Sequence, residues 1–72
     1  MNLEIKKAIS IAEIFGCVML AYTDSSAILK YDVSEIDRRR KAVILQEKLK
    51  TVKCSYHIDE SHKGFNLYFY LI

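Results

Sequence analysis

Every second residue from Phe65 to Leu71 is large and apolar, and only a β-strand turns that period of two into one buried face. Cys54, Tyr56 and Ile58 repeat the pattern on the other side of a polar stretch, Asp59 to Gly64, so the last twenty residues read as a hairpin. Pairing Ile58 with Phe65 puts Tyr56 opposite Leu67 and Cys54 opposite Phe69 on the core side. The same pairing leaves Lys53 opposite Tyr70 and Ser55 opposite Tyr68 on the outer side. An isolated hairpin is marginal in water, so the rest of the chain has to cover its apolar face.

Two stretches have helical spacing. Ile5, Ala8, Ala12 and Phe15 recur at threes and fours, widened by Ile9 and Ile11, and predict a helix from Leu3 to Phe15 stopped by Gly16. Ser34 can cap a second helix, with Asp37 completing a capping box, and this one runs to about Thr51 along the seam Ala42, Leu45, Leu49 and Val52. Val43 and Ile44 lie off that seam, so the middle of the helix is apolar around more of its circumference than one packing face requires.

Between the helices, the apolar run Cys17 to Thr23, the turn residues Asp24-Ser25-Ser26 and the alternation of Ala27 to Val33 read as a first hairpin. With Asp24 and Ser25 as its loop, Leu20 faces Leu29 and Val18 faces Tyr31 in the core, while Met19 faces Lys30 outside. The expected fold is α+β in the order αββαββ, a four-stranded antiparallel sheet with two helices on one face, over residues 1–72 as a single domain. The alternative keeps the run to Thr23 helical and makes Ser26 to Tyr31 a short second helix, which yields a winged helix-turn-helix with the Ser34 helix as reader and Asp59 to Gly64 as the wing.

A basic-then-apolar start at Lys6-Lys7 has the outline of a signal peptide. Glu13 interrupts the apolar run, the run is shorter than a membrane span, and its removal would leave about fifty residues without a core. No proline and two glycines among 72 residues leave no marker of a linker. A domain this small buries only roughly 60% of the surface its unfolded chain exposes, which makes association a natural source of stability. Two cysteines thirty-seven positions apart are no disulfide framework and read as reduced thiols in a cytoplasmic protein.

The charge is lopsided: residues 1–37 hold three bases and six acids, residues 38–72 eight bases and three acids. Arg38, Arg39, Arg40 and Lys41, with Lys48 and Lys53, are the candidate contacts for nucleic acid or an acidic partner. At 100° per residue the run fans around the helix, so only part of it can face one surface. Tyr68 and Tyr70, beside Ser55 and His57, form either a stacking platform or a face for a second subunit. Cys54, His57, Asp59, Glu60 and His62 include zinc-binding types, but Cys54 and His57 point to opposite faces of a strand. The same geometry denies Cys54 a His57 base. No catalytic, metal or cofactor residue is expected.

The element order resembles that of roadblock-type dimerisation domains, in which two protomers form a scaffold for regulatory partners. The resemblance covers Leu3 to Ile72 and is one of topology alone. There is no strand after the fourth and no glycine in the first hairpin turn, and no site residue carries over. The expectation is a small non-enzymatic regulatory or adaptor protein. It would act as a homodimer and on a further protein partner through Val43, Ile44, Tyr68, Tyr70 and Ile72, away from membranes. The alternative is a nucleic-acid-binding regulator using the basic helix Arg38 to Lys53.

Overall fold

The structure, a computed structural model, describes residues 1–71. Helix α1 (Leu3–Phe15) opens on Asn2, whose side-chain oxygen accepts from the Glu4 and Ile5 amides at 2.8 and 3.3 Å. It closes at Gly16, where the chain takes a φ of +123° and the Gly16 and Cys17 amides return to the Ala12 carbonyl. Ile5, Ala8, Ile9 and Ala12 form its buried stripe.

Strands β1 (Val18–Tyr22) and β2 (Ser26–Asp32) follow and pair as a hairpin, so the winged helix-turn-helix alternative does not hold. The period-two alternation of Ala27 to Val33 prevails over the helical reading because it lets Ala27 and Leu29 enter the core together. Helix α2 (Glu35–Lys48) is capped by the Ser34 hydroxyl, which accepts from the Asp37 amide at 3.4 Å, and ends in a 3₁₀ turn over Leu49–Thr51. Strands β3 (Ser55–Ser61) and β4 (Gly64–Tyr70) complete the order αββαββ. Helical backbone thus runs to Thr51, as expected, with its last turn tightened to bring Leu49 into the core, and Lys53 lies beyond it.

The sheet order is β1-β2-β4-β3 with every pair antiparallel. Ala27, Leu29, Phe65, Leu67 and Phe69 on one sheet face meet Ile5, Ala8, Ala12, Ala42, Leu45 and Leu49 of the helices in one cluster. Tyr31 stacks between Phe15 and Phe65, with ring centroids 5.1 and 5.2 Å away, and seals one end. At the other end the Glu4 carboxylate accepts from the Lys53 amide at 3.1 Å and ties α1 to the start of the second hairpin.

Both hairpins depart from the simplest register. In the second, Ser55 pairs with Tyr70, Tyr56 with Phe69, His57 with Tyr68 and Ile58 with Leu67, and pairing continues to Ser61 and Gly64. The connection is the two-residue turn His62-Lys63, not a loop from Asp59. The expected pairing is thus two residues off, a shift that leaves each side chain on its expected face. Gly64 explains the tight turn: its φ is +139°, and a Cβ there would overlap the Tyr31 carbonyl oxygen.

In the first hairpin the expected register holds only beside the turn, where Tyr22 pairs with Ala27 and Ala21 with Ile28. It then slips at Leu20, a β-bulge, so that Met19 faces Leu29 and Val18 faces Lys30. Val18 and Leu20, expected in the core, are 56% and 53% exposed, and Met19 packs against the core instead. Leu71, expected on the core face, lies past the end of β4 and is partly exposed.

Candidate interaction surfaces

Helix α2 keeps its seam inward and leaves Val43 and Ile44 at the surface, as their place off the seam requires. Ile36, one heptad before Val43 and so on the same stripe, is 92% exposed. Ile44 shares a face with Lys48, four residues on. Lys48 in turn closes a groove of about 510 Å³ with Ile11, Ile14 and Phe15 of α1.

The arginine run converges only in part. The Arg38 guanidinium donates to the Glu60 carboxylate at 3.3 Å and to the Ser61 carbonyl, while Arg39 reaches the other Glu60 oxygen at 3.4 Å. Arg40 turns back to Asp37 at 3.0 Å. Among the described residues Lys41, Lys48 and Lys53 have no carboxylate within ion-pair distance, but Lys53 lies beyond the helix. The proposed wing is absent as such, because Asp59 and Glu60 belong to β3 and only His62 and Lys63 turn.

On the outer sheet face one row crosses all four strands in register: Ala21, Ile28, Tyr68 and His57. The Tyr68 and His57 rings lie 6.0 Å apart, and Tyr70 stands between Ser26 and Ser55. Tyr68 and Tyr70 are therefore on the opposite side of the molecule from Val43 and Ile44, and one flat partner cannot cover both pairs. Ile72, expected at the same interface, lies outside the described residues.

The surface that sequence reasoning missed is the β1 edge. Val18, Leu20 and Tyr22, the last 65% exposed, line a strand with a hydrogen-bonded neighbour on one side only. The signal was present: Cys17 to Tyr22 is apolar on both faces, which suits an edge that meets a partner as well as it suits a core strand.

Chemistry inside the fold is sparse. Burial pushes the Cys17 thiol from an ordinary 9.0 up to about 11 and raises that of Cys54 as well. Among the described residues no three His, Cys, Asp or Glu side chains gather closely enough for a metal, and no helix is long and apolar enough to cross a membrane.

No protein-family model, curated protein or solved structure matches the chain.

Proposed function

We propose that this chain is a small non-enzymatic interaction protein that works as a homodimer and binds a further protein as a regulator or adaptor. The observation that carries the reading is the amount of apolar surface left open on a small body. Among the described residues Leu3, Ile14, Val18, Leu20, Tyr22, Ile36 and Val43 are each more than half exposed, on a total accessible surface of 4756 Å². Single exposed apolar residues are ordinary, but runs of them on one edge and one helix mark surfaces that meet protein. The two buried free thiols suit the cytoplasm, where reduced cysteine persists.

The nucleic-acid alternative has weaker support. Arg38, Arg39 and Arg40 are held by Glu60 and Asp37, and a phosphate would have to displace those carboxylates.

Size-exclusion chromatography with light scattering, read at 260 and 280 nm, tests the proposal. The expected result is a species of twice the 8.4 kDa chain mass, free of nucleic acid and insensitive to salt. A monomer up to the hundred-micromolar range, or a peak whose nucleic acid is stripped by salt, overturns it.

A further inference from the structure

The groove that Lys48 closes against Ile11, Ile14 and Phe15 does not stand alone. A second groove, of about 400 Å³, has Leu3, Lys6 and Lys7 of α1 against Val52. Ile11 lines both, which joins them into one channel along α1. From Leu3 to Phe15 that channel is about 18 Å long, the length of a little over three helical turns.

Its floor is apolar and its charge has one sign. Ile11, Phe15 and Val52 are half-buried, while Ile14 and Lys48 stand exposed at the sides. Lys6, Lys7 and Lys48 line it, and no aspartate or glutamate does. Among the described residues Lys6 and Lys48 have no carboxylate within ion-pair distance, and Lys7 has Glu4. Lys41 is unpaired as well and lies one heptad before Lys48, on the same stripe of α2. Glu13 is turned about 160° from Ile11 around α1 and faces elsewhere.

We infer that this channel is the docking site for an acidic amphipathic helix of another protein. The helix lays its apolar stripe over Ile11, Ile14 and Phe15, and its carboxylates meet Lys48 on one side and Lys6 and Lys7 on the other. The inference rests on the reading of the chain as an interaction protein and names the surface for its further partner.

Shape and charge select that occupant together. A stripe of apolar side chains at spacings of three and four fills the groove between two packed helices. Lysines without opposing carboxylates draw an acidic segment and repel a basic one. A second copy does not fit, because a two-fold that lays this face on itself opposes lysine to lysine. A flat lipid surface does not reach a floor recessed between two helices.

Fluorescence anisotropy measures binding of the whole chain to labelled synthetic helices of about 18 residues. One has leucines at spacings of three and four flanked by glutamates. A second has lysine in place of each glutamate, and a third has the glutamate peptide's composition with its stripe scrambled. The glutamate helix is expected to bind in the micromolar range and more weakly as salt rises, and the other two at least tenfold more weakly. Lys48→Glu should weaken its binding about fivefold and Ile14→Gln about tenfold. Both positions are exposed, so circular dichroism should show the parent's fold. Val43→Gln, turned about 140° from Lys48 around α2, should bind like the parent. As a readout that needs no variant, amide shifts of the parent on titration should centre on Ile11, Ile14, Phe15 and Lys48.

The channel is overturned if the glutamate helix fails to bind at about 1 mM, if the lysine or scrambled peptide binds as well, or if the shifts centre on the sheet. Light scattering keeps the homodimer reading separate. A monomer that takes the glutamate helix upholds the channel and removes the homodimer, and a dimer that ignores it does the reverse.

Discussion

Replacing Gly64 with alanine tests the register of the entire sheet, since Gly64 is where β2, β3 and β4 meet. It pairs with Ser61 across the second hairpin and with Asp32 of β2, and its φ of +139° is one that L-residues rarely adopt. Backbone strain of that kind costs about 1–3 kcal/mol. A Cβ would overlap the Tyr31 carbonyl and lie 3.0 Å from the Val33 nitrogen, both backbone atoms with no rotamer to escape into. The end of β2 must then move off β4, weakening the hydrogen bond from the Val33 amide to the Lys63 carbonyl, a loss of about 1 kcal/mol. Together these give a destabilisation of about 3 kcal/mol, to be set against roughly 4–10 kcal/mol for a chain of this length. The melting temperature should fall by about 12–24 °C. Gly16→Ala is the internal control. Gly16 also has a positive φ, +123°, but its Cβ would meet only the Tyr31 ring at 3.0 Å, and a side chain can yield. Thermal unfolding followed by far-ultraviolet circular dichroism should rank Gly64→Ala well below Gly16→Ala. If Gly64→Ala melts within a few degrees of the parent, or above Gly16→Ala, the close approach of β2 to the turn is wrong.

Three further outcomes are expected. Leu67→Ala, at a fully buried position of the central strand β4, should cost about 3 kcal/mol by urea unfolding with an unchanged slope. Cys17 is held protonated in the fold and ionises more readily unfolded, so its contribution is complete below pH 9.0 and lost as pH rises toward about 11. Stability should decline over that window, less steeply in Cys17→Ala, and thiol reagents at pH 8 should react only after unfolding. Glu4 shows the opposite sign: the hydrogen bond from the Lys53 amide, with help from Lys7, depresses its pKa. The stability it contributes is present at neutral pH and lost on acidification, and an acid titration of Glu4→Gln should lack that part of the loss.

What the sequence disclosed depended on whether one period or two constraints decided the answer. The α1 seam and its Gly16 stop were legible because a helix packed on one side needs only its own spacing, and Val43 and Ile44 stood out for the same reason. In the second hairpin the faces were legible and the pairing was not. A shift of two residues moves no side chain across the sheet, so periodicity is blind to it, and only the backbone demand at Gly64 fixes the count. The fate of Arg38 and Arg39 was hidden for another reason: their partner Glu60 is more than twenty positions away, on a strand whose register had to be known first. Ile14 and Ile36 sit on helical stripes that look packable, and only the placement of the other elements shows that nothing covers them.

The bulge at Leu20 has a cause that can be tested directly. Counting back from the turn at Asp24-Ser25, regular pairing would send Leu20 and Val18 inward. Counting forward from the stop at Gly16, Cys17 has to enter the core, and alternation then sends Met19 inward and Val18 outward. The two counts are out of phase by one residue, and the bulge absorbs the difference. Deleting Leu20 removes that residue and leaves Ala21 opposite Ile28, Met19 opposite Leu29 and Val18 opposite Lys30 in one regular ladder. The shortened chain should therefore fold with stability within about 1 kcal/mol of the parent, since it loses a half-exposed side chain and gains regular pairing. Urea unfolding reads the effect. A deletion variant that fails to fold would show that Leu20 holds the strand in place and that the phase argument is wrong.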